Sequence, residues 1–365
     1  MSASRETSVA LSISNRDPCN DSNWATHHEH FLEFFEQKFE QAVCSLQQST
    51  SPVIISLAGV WRLLRQRVLQ GRDRSDPESH VENIRLQLEA VRGLGNAIRD
   101  GDILAIFGVV TLGFLDVYDG PFGDWQGHVY GAKALVAHAS TNNLEMQAWC
   151  SRLPGFRQIL SLAMWWDLWN AFLNKGRLLA FTDQQRAYMD PEFFDLVDCP
   201  ADTFSIFVQI VQSIERGTRL DLPVTVSGQL LHLTKDESCI SLKTKDAWRY
   251  AAVMAALGTD SSTRRTASLN TLMQDLGDNI CCIVRSICPL SGRYRMMSGP
   301  IAVLGATSRI PHHVRTVEIY WSVCDSLKRP IFPHGRDVRP CIQTPDASLD
   351  ISVHIGPSGY NKLET

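Results

Sequence analysis

Apolar residues recur at three- and four-residue steps through most of this chain, and no two-residue alternation is sustained anywhere. That contrast limits the fold more than any other feature, because a half-buried strand needs period two and a helix needs period 3.6. Phe31, Phe34, Phe35 and Phe39 run on into Val43 and Leu46, and Ile54, Leu57, Trp61, Leu64 and Val68 form a second stripe. Val81, Ile84, Leu88, Val91, Leu94 and Ile98 form a third, over 79–99. The spacing predicts further helices over 103–118, 128–140, 156–175, 191–198, 202–217, 241–257, 266–287 and 311–329. An irregular or extended stretch is expected at 222–240. The fold class is therefore all-α, an antiparallel helical bundle or array with one central cavity. Residues 24–330 form this helical body. Residues 1–23 are expected to be a flexible polar tail, and 331–365 a Pro- and Gly-rich loop region.

Composition excludes several classes. With 44% hydrophobic residues in 365, the chain has ample material for a core, so it is neither a disordered chain nor a disulfide-stapled miniprotein. Lys+Arg 35 against Asp+Glu 39 gives a net charge of −4, the wrong sign for a body that grips a phosphate backbone, and no direct nucleic-acid binding is expected. The longest apolar run, Ile103 to Leu115, falls short of the roughly 20 residues a bilayer helix needs and reads as a buried helix. Met1 to Asn23 lacks the basic start and apolar centre of a secretory signal. None of the ten cysteines forms a Cys-x-x-Cys pair, which predicts reduced thiols and a cytoplasmic location. Cys281, Cys282 and Cys288 lie among Ile280, Ile283, Val284 and Ile287; they read as core thiols, not as a zinc site.

The main chemical constellation is acidic. Asp116 and Asp119 are three apart at the end of an apolar helix, hence on one face, and Asp124 follows across a Gly-Pro-Phe-Gly turn. Carboxylates at a helix C-terminus oppose its negative partial charge, and Mg²⁺, with its preference for oxygen ligands, would relieve that. Asp167, Asn170 and Asn174 follow at i, i+3 and i+7, placing three oxygen-bearing side chains on one face. Arg285, Arg293 and Arg295, together with Lys245 and Arg249, supply cations suited to a diphosphate. Trp61, Trp125, Trp165, Trp166, Trp169, Phe114 and Phe172 could wall a chamber in which a carbocation is held over ring faces. Each group also has a plainer reading. The acids end a helix and start a turn, Asp167 and the two Asn sit on a half-exposed helix, the tryptophans are core, and the arginines form a solvated face.

These residues carry two resemblances. Asp-x-x-Asp at 116–119 and the 167/170/174 spacing are similar to the metal motifs of class I terpene cyclases, although Asn174 stands where that second motif ends in Glu. That likeness implies Mg²⁺-dependent ionisation and cyclisation of a prenyl diphosphate such as farnesyl diphosphate. As a regulator-like helical scaffold without a zinc cluster, the chain is also similar to the humulene-forming cyclases of fungal tropolone-sesquiterpenoid pathways, which lack the usual cyclase pattern, although no position here matches their diagnostic lysine. The second resemblance rests on three segments: Phe114 to Asp119 with Asp124 to Leu135, Trp165 to Asn170, and Ser298 to Ala306 with Arg309 and Tyr320-Trp321. Their order and spacing resemble the fungal-specific transcription factor domain, the helical regulatory domain found behind zinc-cluster DNA-binding modules. Over roughly 30–330 this implies that fold. The six-cysteine cluster has no counterpart here, so the likeness does not extend to DNA reading.

The functional expectation is thus a Mg²⁺-dependent terpene cyclase of secondary metabolism, with a homodimer allowed. The alternatives are a non-catalytic regulator or ligand-sensing adaptor, nuclear in that case, and a metal-independent cyclase using the same chamber.

Overall fold

The computed structural model describes residues 85, 88, 91–119, 125–139, 143–153, 155–173, 178–218, 220, 222–233, 239–259 and 267–326. Among them every regular element is a helix and none is a strand, as the periodicity requires. A helical stretch at 91–99 leads into α1 (Ala105–Asp119), α2 (Trp125–Ala139), α3 (Asn143–Arg152) and α4 (Phe156–Leu173). Short helices α5 (Asp183–Arg186) and α6 (Pro191–Leu196) precede α7 (Ala201–Arg216) and α8 (Leu222–Leu231). Then come α9 (Ile240–Thr259), α10 (Ala267–Ser286), α11 (Gly292–Met296), α12 (Ser298–Thr307) and α13 (Pro311–Ser326).

Local chemistry sets the ends of these helices. Asp102 accepts from the Leu104 amide at 2.9 Å just ahead of α1. Thr182 and Gln185 make a reciprocal capping box at α5, which satisfies amides that no intrahelical carbonyl can reach. Asp190 caps α6, with Pro191 in the first position, where its missing N–H costs nothing. Gly217 closes α7 in the left-handed conformation (φ 63°), which a residue without Cβ adopts freely.

Packing follows from which helices are apolar all round. Residues of α4 from Phe156 to Leu173, Arg157 apart, are buried, and so is the whole of α12; helices of that kind belong inside an array. The third central helix, α9, buries an alanine-rich face that contacts α7, α8, α10, α11 and α12. Its small side chains let five neighbours approach. On the other flank α1 packs on α2, and both rest on α4. By contrast α7 and α10 are amphipathic, burying Phe204, Phe207 and Val211, and Leu276, Ile280 and Val284, while their other faces meet solvent.

Most expected helices lie where the periodicity puts them. The stretch 222–240 is a correction: α8 occupies Leu222–Leu231. Its Val and Thr residues favour extended backbone and its Gly weakens a helix, but packing against its neighbours overrides both. Thr203 Oγ1 on α7 donates to Gln229 Oε1 at 2.7 Å, and Gln229 Nε2 donates to Asp202 at 3.3 Å. The expected helices before residue 79, both tails and the 120–124 turn lie outside the described residues. No described helix is long and apolar enough to cross a membrane.

Candidate functional site

The residues expected to hold Mg²⁺ have different fates. Asp116 and Asp119 occupy the last turn of α1, while Asp124 and Asn174 lie outside the described residues. Asp167 and Asn170 are buried in α4, not half-exposed. Both Asp167 oxygens are engaged: the Ala180 amide donates to one at 2.8 Å and the Phe181 amide to the other at 3.0 Å. This carboxyl therefore ties the segment before α5 to α4. Burial pushes it up to about 6, against two amide hydrogen bonds that pull it down.

Three of the five expected diphosphate cations do converge, but on aspartates of the α6–α7 corner. Lys245 pairs with Asp195 at 2.7 Å and Arg249 with Asp202 at 2.8 Å, one helical turn apart on α9. The Arg293 guanidinium donates to both oxygens of buried Asp198, at 2.9 and 2.8 Å. Arg285 instead donates to Thr316 Oγ1 at 2.9 Å, bracing α10 against α13. Arg295 lies in α11, where its carbonyl accepts from the Tyr320 hydroxyl at 3.3 Å.

The aromatic side chains pack on one another. Trp165 stands 5.8 Å from Trp169, 5.4 Å from Trp248 and 5.9 Å from Phe204, centroid to centroid. Phe207 joins Trp169, Phe172 and Trp248. Gly299 closes the cluster from α12: a Cβ there would fall 2.1 Å from Trp248 Cη2 and 2.8 Å from Trp169 Cζ2. Phe114, Trp61 and Trp125 are not among the side chains described.

A cluster of another kind joins α10 to the first turn of α13. The Nε2 atoms of His312 and His313 both bond Oδ1 of Asp278, His313 at 2.9 Å. The three donor atoms lie within 4.8 Å of one another. Pro311 opens α13, so His312 and His313 fall in its first turn, where consecutive side chains can both be turned toward α10. The His313 side chain is 1% exposed, whereas His312 is 46% and Asp278 44% exposed, so the cluster is walled on one side and wet on the other.

Two contacts fix the buried ring. Its Nδ1 meets Ser308 Oγ at 2.7 Å, and Ser308 Oγ also accepts from the Ile310 amide at 3.2 Å. Its edge lies against Gly277, where a Cβ would fall 2.3 Å from His313 Cε1. Hydrogen bonds from His312 and then His313 hold the Asp278 carboxyl below the usual carboxylate range. Burial lowers the His313 imidazole, partly offset by Asp278. Ser308, His313 and Asp278 thus form a hydrogen-bonded relay, while Asp278, His312 and His313 offer a carboxylate and two imidazole nitrogens to one point.

Nothing in the sequence reading marked this cluster, since Asp278 lies 34 residues from His312 and no local spacing links them. The His-His doublet behind a proline is the one local signal. No protein-family model, curated protein or solved structure matches the chain.

Proposed function

We propose that this chain is a non-catalytic regulatory domain, a ligand-sensing or adaptor module that acts through another protein, in keeping with its resemblance to fungal transcription factor domains. One observation carries the reading: among the described side chains, those a prenyl cyclase would use are engaged in holding the helices together. Trp165, Trp169 and Phe172 pack ring against ring, and Gly299 leaves no room beside Trp248 and Trp169. Lys245, Arg249 and Arg293 each have a carboxylate partner, and Asp167 is committed to two backbone amides. A diphosphate drawing on these cations would have to compete with the carboxylates that already hold them.

The test has two arms. The chain is fused to an unrelated DNA-binding module and expressed with a matching reporter; a change in transcription relative to the module alone is expected. Purified chain is also incubated with farnesyl diphosphate and Mg²⁺, and the organic phase is analysed for volatiles. No cyclised hydrocarbon is expected. A hydrocarbon product that disappears on joint Asp116→Asn and Asp119→Asn substitution would overturn the regulatory reading in favour of the cyclase.

A further inference from the structure

We infer that Asp278, His312 and His313 form a binding site for a divalent transition-metal ion of the zinc type. Two imidazoles and one carboxylate are the donor set such ions favour over Mg²⁺ or Ca²⁺, which prefer oxygen alone. The side chains already aim at one point, because both Nε2 atoms are directed at the same carboxylate oxygen, Asp278 Oδ1. A tetrahedral ion about 2.1 Å from each donor needs the donors about 3.4 Å apart. The His313 contact, at 2.9 Å, therefore has only to open by about half an ångström, and the exposed His312 and Asp278 side chains are free to move.

The surroundings suit this role. A metal-bound histidine characteristically donates its other ring N–H to an acceptor, which fixes the tautomer and raises ligand basicity. Ser308 Oγ sits at 2.7 Å from His313 Nδ1 and can receive that proton. As a hydroxyl it can equally donate to Nδ1 when Nε2 carries the proton instead. Gly277 matters for the same reason, since any larger residue would displace the ring. Two features oppose a cation: the positive end of the α13 dipole and the nearby Arg285 guanidinium. The Asp278 charge offsets them in part, which favours an ion with real affinity for imidazole nitrogen over a hard cation. With three protein donors and one open, solvent-facing side, the ion would keep a water or take up a donor atom from a ligand.

The experiment uses tag-free full-length chain, stripped with chelator and titrated with Co²⁺ and Zn²⁺ in a non-thiol reductant. One equivalent of Co²⁺ should bind and give visible ligand-field bands, which Zn²⁺ abolishes. Ser308→Ala should weaken binding about tenfold, and His312→Ala or Asp278→Asn by more than about a hundredfold. The last two lie at exposed positions, so unchanged helical circular dichroism should accompany the loss. Joint Cys282→Ser and Cys288→Ser substitution removes the two exposed thiols among the described residues and should leave binding intact. No binding by the parent chain overturns the site. So does equal binding by His312→Ala or Asp278→Asn, and so does loss in the cysteine variant, which would assign the ion to thiolate. Metal binding and reporter activity are measured separately, so neither result decides the other.

Discussion

Asp198 shows how much structure a single residue can carry here. It holds a left-handed backbone (φ 51°), which among residues with a side chain Asp and Asn tolerate best. Glycine would be easier for the backbone, but it could not receive Arg293, or the Ser241 hydroxyl at 3.1 Å. Arg293→Ala would leave that buried carboxylate unpaired, so a loss of about 3–5 kcal/mol is expected in urea unfolding. A loss below about 1 kcal/mol would show that solvent reaches Asp198 after all. Asp167 makes a different prediction. Its carboxyl is raised in the folded state from 3.8 to about 6, so between those values the folded chain holds a proton that the unfolded chain has released. Stability contributed by this group therefore falls as pH rises through that window, by up to about 3 kcal/mol, and is level above it. Asp167→Asn cannot titrate. The parent chain should exceed this variant in unfolding free energy by more at pH 4 than at pH 7.5, and a constant difference would refute the assignment.

Among elements, the crossing of α10 and α13 is set by a close approach. Gly277 lets the His313 ring lie against the α10 backbone, and Tyr320 and Trp321 continue the buried face of α13. Gly277→Ala forces either the ring or the helix to move, with an expected loss of about 1–3 kcal/mol despite the better helix propensity of alanine. Equal stability in thermal unfolding would mean that His313 has a second rotamer available. Long amphipathic helices such as α7 and α10 were legible from residue types, because a half-buried helix writes its period into the sequence. Five helices escaped: α3, α5, α8, α11 and α12. In α3 apolar and polar residues mix round the circumference, so no stripe stands out. With four or five residues, α5 and α11 are too brief to show a period, and α12, buried all round, has no polar face to mark one. For α8, β-branched residues and a glycine mask a helix that its neighbours impose. The candidate site was illegible for another reason. Its carboxylate and imidazoles come from two helices, and only tertiary packing brings residue 278 to 312 and 313. The cations at 245, 249 and 293 were recognisable as a group, yet their acidic partners at 195, 198 and 202 were not, because charge sign alone does not name a partner.

At the scale of the whole molecule, the question is whether the aromatic centre is a wall or a filling. Trp248 on α9 decides it, because its ring touches Trp165 and Trp169 from α4 and Phe207 from α7, and faces Gly299 of α12. A ring lining a chamber has contacts on one side only, and truncating it enlarges a space that already exists. A ring inside a filled core loses contacts on all sides and leaves a new cavity. Trp248→Ala should therefore cost about 3–5 kcal/mol, with the far-ultraviolet and fluorescence transitions remaining coincident, because four helices share that cluster. Trp248→Phe should cost much less. The indole N–H of Trp248 is buried and finds no hydrogen-bond partner, so its removal recovers a desolvation penalty that partly offsets the lost ring area. Both variants are read by urea unfolding. If Trp248→Ala instead unfolds within about 1 kcal/mol of the parent, the centre has space to spare, and a chamber able to hold a prenyl chain returns as the better account of these rings.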